Sequence, residues 1–138
     1  MDSYKFTEGV YAYYVTFTVV DWLPIFMNPE PVKIITDRLQ FSIISKFLRV
    51  YACVIMLTHL HMVVFDAKFG NTRLQKSMIE FRKFTGHKLA DYVDNNLALS
   101  FSKAIRSNSL IDRGRHVWLP GWHAEGLVSE AFLNQKVN

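Results

Sequence analysis

Two histidines stand one residue apart in a run that is otherwise apolar. The run extends from Leu57 to Phe65 and reads LTHLHMVVF. On a β-strand, side chains alternate between faces, so His59 and His61 project to the same face. Imidazoles placed in this way can share one metal ion, each through one ring nitrogen. The spacing therefore predicts a metal site at His59 and His61, and two core histidines hydrogen-bonded to backbone are the alternative.

A third metal ligand is not evident from the sequence. The candidates by residue type are His87, His116, His123 and Glu125. The single cysteine, Cys53, cannot form an internal disulfide, and its apolar surroundings predict a small buried side chain in a reducing cytosol.

Length and composition predict one folded domain over residues 1–138. Half of the chain is hydrophobic and 14% is aromatic, which excludes intrinsic disorder. The formal net charge of +4 is a mild basic excess, compatible with an anionic partner. The first residues show no signal-peptide pattern, and the most apolar stretch, 51–65, is too short to span a bilayer. We therefore expect a soluble cytoplasmic protein without a membrane partner.

Periodicity predicts four strands and at least two helices. Aromatic and β-branched residues predict strands over Tyr11–Val20, Phe47–Met56 and His59–Phe65, with a fourth strand within Val117–Val128. Asp21–Pro29 reads as a loop, and most of Asn95–Arg115 is expected to be loop as well. A first helix should begin at Pro31, and a last one could follow Ser129. The second helix has its apolar stripe at Leu74, Met78, Phe81, Thr85, Leu89 and Tyr92.

The predicted order is β-α-β-β-α-β, with a further helix begun at the end. This order indicates an α+β, ferredoxin-like split βαβ fold, in which a four-stranded antiparallel sheet carries helices on one face. Many unrelated functions use that fold, so it does not by itself indicate a chemistry.

Basic side chains face away from the apolar stripe of the second helix. A solvated face is the common explanation of such a row, but one acid, Glu80, among so many basic groups favours contact with phosphates. The predicted DNA-binding residues are Arg73, Lys76, Arg82, Lys83, His87 and Lys88. Trp118 and Trp122 could stack bases or pack in the core.

Four segments in order resemble the HUH-type single-tyrosine transposases, in the branch of the REP-associated tyrosine transposases. The histidine strand VIMLTHLHMVV resembles that family's HUH strand. The other segments are YVTFTVVDWLPIF, LQKSMIEFRKFTGHKL and HVWLPGWHAEGLVSEAFLNQKVN. One departure is that Leu57 and Thr58 stand where the family usually has Pro-Asn.

The resemblance implies a transposase of a prokaryotic mobile element, cytoplasmic and nucleoid-associated, that binds single-stranded or hairpin DNA. A divalent metal cofactor, Mg²⁺ or Mn²⁺, would be held by His59, His61 and a third polar residue. A tyrosine would attack the phosphodiester and become joined to the 5′ phosphate, as DNA recombination by this family requires. The family also implies a homodimer whose sheets join edge to edge, and the aromatic first strand could be that edge.

The resemblance places the nucleophilic tyrosine in a helix just after Asn138, so that helix would be cut off. Whether this chain is an enzyme is accordingly open, and we expect it to bind DNA without cleaving it. Tyr92, followed by Asn95 and Asn96, is a low-odds alternative nucleophile. The competing hypotheses are an inert nucleic-acid-binding module of the same fold and a metal-binding structural protein of ferredoxin-like fold.

Overall fold

The structure is a computed structural model that describes residue 6, residues 9–107 and residues 114–127. These residues form four strands and three α-helices. Two short 3-10 turns, Val20–Trp22 and Ile25–Met27, occupy the predicted loop after the first strand. The elements are β1 (Ala12–Thr18), α1 (Pro29–Ser45), β2 (Leu48–Ile55), β3 (His59–Asp66), α2 (Asn71–Asn96), α3 (Leu99–Ser107) and β4 (His123–Leu127).

The four strands form one antiparallel sheet in the order β2-β3-β1-β4. β1 is therefore internal, with Thr16 opposite His61 of β3 on one side and opposite His123 of β4 on the other. The prediction that the first strand is an exposed edge was wrong. Its aromatic and β-branched residues suit a central strand, because such a strand is covered by neighbours on both sides.

The α-helices described here pack on one face of the sheet. The side chains of Tyr13, Val15 and Phe17 in β1 alternate with less buried neighbours and enter the core. All six residues of the stripe predicted for α2 are buried, as the helical period requires. The predicted α+β fold, a four-stranded antiparallel sheet with helices on one face, is confirmed.

Asp66 joins the end of β3 to the beginning of α2. Its carboxylate is only 1% exposed and accepts hydrogen bonds from Arg73 Nε at 2.8 Å and Nη2 at 2.6 Å. The backbone N–H groups of Lys68 and Gly70 also donate to it. The hydrogen bond from Arg73 is the main reason that the pKa of Asp66 falls to about 2.

Two local predictions differ from the structure. The segment expected to be mostly loop contains α3, which buries Ile105 and Ser102. Cys53, expected to be buried, is exposed, because β2 is an edge strand. The helix predicted after Ser129 lies outside the described residues. In the described part of the chain, no helix is long and apolar enough to cross a membrane.

Candidate metal and nucleic-acid site

His59 and His61 lie on the sheet face opposite to the packed helices. They are paired with Thr18 and Thr16 of β1, and the intervening Leu60 is fully buried on the helix side. Their rings are nearly parallel, with centroids 5.7 Å apart and an angle of 11° between the planes. The structure thus brings the two predicted ligands together as neighbouring, half-buried imidazoles.

Hydroxyl groups lie beside the Nδ1 atom of each imidazole. Tyr14 Oη is 2.9 Å and Thr16 Oγ1 is 3.2 Å from Nδ1 of His61. Thr58 Oγ1 is 2.6 Å from Nδ1 of His59. A hydroxyl oxygen can accept Nδ1–H, and this tautomer leaves the lone pair of Nε2 available to a metal ion. Nε2 is therefore the nitrogen that each ring can offer as a ligand.

Burial and the neighbouring imidazole of His59 favour the uncharged form of His61. The pKa of His61 is lowered from its ordinary value, first by desolvation and then by the neighbouring His59. A neutral imidazole is the form that binds a metal ion. The surroundings of His61 thus favour the form of that imidazole that can act as a ligand.

The chemistry of the pair fits a divalent metal ion, and further ligand types lie on the same face but farther away. His123 is opposite Thr16, and Glu125 is opposite Tyr14, so both are on the face that carries His61. β1 separates them from β3, a gap of two strand spacings or roughly 9.5 Å. Within the described ranges, no three His, Cys, Asp or Glu side chains are grouped closely enough to hold one ion.

The other candidates by type, His87 and His116, lie in a different place. Both line a cavity of about 650 Å³ between α2 and the segment that precedes β4. Arg82, Lys83 and Trp118 also line this cavity. Three of the residues predicted to bind DNA are therefore at one cavity on the helix side of the sheet.

The six basic-type residues predicted to bind DNA differ in their surroundings. Lys76, Lys83 and His87 are exposed on one side of α2. Lys88 lies 5.8 Å from the ring centroid of Phe84, and Arg82 donates a hydrogen bond to the carbonyl oxygen of Leu119. Arg73 is engaged with Asp66 and lies over the ring of Phe47, which gives it a structural role.

Tyr92, the alternative nucleophile, and Trp118 and Trp122, considered for base stacking, are buried in the core. Tyr92 is 6% exposed, and its hydroxyl accepts a hydrogen bond from Asn28. It lies on the helix side, whereas the histidines are on the opposite face. Trp118 and Trp122 are also buried, and Trp118 Nε1 donates to Thr85 Oγ1 at 3.1 Å.

Three residues near the histidines were not predicted from the sequence. Tyr14 and Thr16 reach His61 through strand pairing that is remote in the chain. Trp22 contacts His59, with ring centroids 4.4 Å apart. The available signal was the alternation of β1, which places Tyr14 and Thr16 on the face not occupied by Tyr13 and Val15.

Comparison with known proteins finds similarity in structure. No protein-family model and no curated protein matches the chain. A solved structure of a REP-associated tyrosine transposase bound to a REP hairpin has a TM-score of 0.67 and 9% identity, and the match covers 99% of this chain and 68% of the other. A crystal structure of a candidate transposase from Deinococcus radiodurans R1 has a TM-score of 0.59 and 12% identity, covering 99% of this chain and 92% of the other.

These similarities extend over nearly the whole chain and therefore concern the complete sheet with its helices. In its fold, the chain is similar to a REP-associated tyrosine transposase.

Proposed function

We propose that this chain is a DNA-binding domain of a transposase of the HUH, REP-associated tyrosine type. The observation that carries the proposal is the pair of parallel imidazoles on the open sheet face, each with a hydroxyl at Nδ1. The similarity in fold to a REP-associated tyrosine transposase supports it. The ligand is hairpin or single-stranded DNA.

His59 and His61 would hold a divalent metal ion through Nε2. When bound, Mg²⁺ or Mn²⁺ would polarise a scissile phosphate. Thr58, Tyr14 and Thr16 would keep the two rings in the required tautomer and orientation. Histidine nitrogen is a softer ligand than Mg²⁺ prefers, so Mn²⁺ should bind more tightly.

The basic side of α2 would contact the DNA backbone. Lys76, Lys83 and His87 are exposed there, and Lys88 and Arg82 flank them. Each lysine that neutralises a phosphate releases condensed counterions, so binding should weaken as salt rises. Glu80 is 3.7 Å from Lys46, and this ion pair reduces its repulsion of a nearby phosphate.

The decisive experiment measures Mn²⁺ and DNA binding on the same variants. Mn²⁺ should raise the thermal stability of the wild type, because a ligand that binds only the folded state stabilises it. The double variant His59→Ala/His61→Ala should lose that response and remain folded. His87→Ala is the matched control, since it removes an exposed histidine elsewhere, and it should respond to Mn²⁺ like the wild type.

DNA binding separates the transposase proposal from a metal-binding structural protein. A labelled hairpin and a single strand should both bind more tightly than plain duplex. Equal Mn²⁺ responses in the wild type and the double histidine variant would refute the metal site. A chain that binds none of the three DNA forms at low salt would refute the DNA role.

A further inference from the structure

Trp22 exposes a large aromatic surface beside the histidine pair. The side chain is 62% exposed, whereas the other two tryptophans of the chain, Trp118 and Trp122, are buried. Its ring contacts His59 with an angle of 79° between the planes, and this contact leaves most of the indole accessible. Because the indole of Trp22 is exposed, it does not contribute to the packing of the core.

The backbone holds Trp22 in an unfavourable conformation. Asp21 and Trp22 have φ values of 53° and 54°, in the left-handed region that residues with a side chain rarely adopt. The N–H of Trp22 donates to the Val19 carbonyl at 3.0 Å, and the N–H of Leu23 donates to that of Val20 at 3.2 Å. Strain of this kind persists where surrounding structure enforces it, and it is concentrated at functional sites.

The surrounding structure anchors this turn on two sides. The N–H of Val19 donates to the carbonyl of Thr58, next to His59, at 3.0 Å. The N–H of Val20 donates to the carbonyl of Val117, in the segment before β4, at 2.7 Å. The backbone of the turn is therefore anchored beside His59, where the indole contacts the imidazole.

The loop that carries Trp22 and the adjoining β2–β3 turn present exposed apolar side chains. Met27, Met56 and Leu57 are exposed in the same loop and in the adjoining β2–β3 turn. Residues 19–28 and 56–58 include one charged residue that can repel phosphate, Asp21, and no lysine or arginine. Such a surface suits the face of a nucleobase and does not suit a phosphate.

We propose that Trp22 is a stacking platform for a base of single-stranded DNA, next to the nucleotide whose phosphate lies at His59 and His61. This inference rests on the proposed function and adds a residue that would position the strand. Stacking on an aromatic side chain tolerates every base, because each base has a π-face. Trp22 would thus fix where the strand lies without selecting its sequence.

The experiment uses the full chain in EDTA and a twelve-nucleotide thymidine oligomer, with an abasic oligomer of equal length. Trp22→Ala should weaken binding of the thymidine oligomer about tenfold, and Trp22→Phe should retain most of the affinity. Ile44→Ala is the matched control, because it removes an exposed apolar side chain at a different place, on α1. It should bind the thymidine oligomer like the wild type. The abasic oligomer should bind the wild type and Trp22→Ala equally.

Tryptophan emission provides a second measurement. Because Trp22 is the exposed tryptophan, the thymidine oligomer should quench the solvent-exposed component of the emission, and the abasic oligomer should not. If Trp22→Ala binds the thymidine oligomer as tightly as the wild type does, the stacking proposal is overturned while the proposed function stands. If, in a separate titration without EDTA, Trp22→Ala lowers Mn²⁺ affinity while oligomer binding is unchanged, the indole orients His59 and the stacking proposal is likewise overturned. If the wild type binds neither oligomer, the stacking proposal is overturned, and if it also fails to bind the hairpin and the duplex, the proposed function fails with it.

Discussion

At the scale of single residues, hydroxyl groups lie at Nδ1 of both imidazoles. A core histidine needs any polar partner, but a ligand needs a partner that accepts Nδ1–H and leaves Nε2 available. The hydroxyl groups of Tyr14, Thr16 and Thr58 lie within hydrogen-bond distance of Nδ1, and they would meet the second requirement by accepting Nδ1–H. The residues behind the ligands can therefore be tested separately from the ligands.

We expect the double variant Tyr14→Phe/Thr16→Val to bind Mn²⁺ about tenfold more weakly, because loss of such partners typically costs that much or more. Both changes keep the shape of the side chain and remove only the hydroxyl beside His61. Calorimetric titration with Mn²⁺ measures the effect. Tyr51→Phe removes an exposed hydroxyl on β2 and should leave the affinity unchanged. Unaltered Mn²⁺ affinity in the double variant would show that His61 is not oriented by these groups.

Asp66 gives a pH dependence of stability with a definite sign. Its pKa is about 2 in the folded chain, below the ordinary 3.8. The lowered pKa stabilises the folded state by about 2 kcal/mol at neutral pH. This contribution is complete above about pH 4 and is lost as the pH falls towards 2.

Asp66→Asn should therefore lower the free energy of unfolding at pH 7, and its difference from the wild type should shrink on acidification. Urea unfolding at pH 7, 4 and 2.5 measures that difference. Asp37→Asn alters an exposed carboxylate paired with Lys33 and should have little effect at any pH. A difference for Asp66→Asn that does not vary with pH would contradict the role of the Arg73 pair.

At the scale of elements, α2 combines a buried stripe with an exposed basic side. The stripe was predictable because a long helix with one apolar face repeats its signal over many turns. α3 was not predicted, because it is only nine residues long and the serine- and asparagine-rich sequence around it is typical of a loop. The role of Arg73 could not be predicted either, because its partner Asp66 belongs to a strand.

Lys76→Gln/Lys83→Gln should weaken single-stranded DNA binding. The slope of the logarithm of the binding constant against the logarithm of the salt concentration should become less steep by roughly 0.7 for each lysine removed. Both side chains are exposed on α2, so the fold should be unaffected. Fluorescence anisotropy at several salt concentrations gives the slope. Lys33→Gln/Lys103→Gln removes the same charge from α1 and α3 and should leave the slope unchanged. Equal salt slopes in the two double variants would show that the basic side of α2 does not contact the DNA.

At the scale of the whole molecule, the order of strands changes the expectation for assembly. The family resemblance implies a homodimer joined at strand edges, and β1 is not available because both of its sides are paired. β2 and β4 are the edges of the described sheet. β2 exposes Tyr51 and Val54, which are apolar residues at an uncovered edge.

We expect a homodimer that joins through β2. Light scattering at tens of micromolar should give the mass of two chains, and Tyr51→Lys should shift it to one, because a lysine on an edge opposes strand pairing. Ile44→Lys, on the exposed side of α1, should not change the mass. A wild-type mass of one chain would contradict the expectation.

The strand order itself was beyond sequence reasoning. Periodicity shows which residues share a face of one strand, and this was enough to place His59 and His61 together. It does not show which strands are neighbours, so the proximity of Tyr14 to His61 and the distance of His123 from it followed only from the register. Long-range pairing therefore determines the part of the site that the sequence could not reveal.

The internal position of β1 also has a consequence for synthesis on the ribosome. β1 is made before both of its partner strands, which begin at His59 and His123. At roughly 5–20 residues per second, several seconds pass before both partners exist. During that interval the apolar side chains of β1 have no sheet to enter, and a nascent chain in this state is a substrate for chaperones. Slowing translation between β1 and β3 should thus increase aggregation more than slowing it after β4.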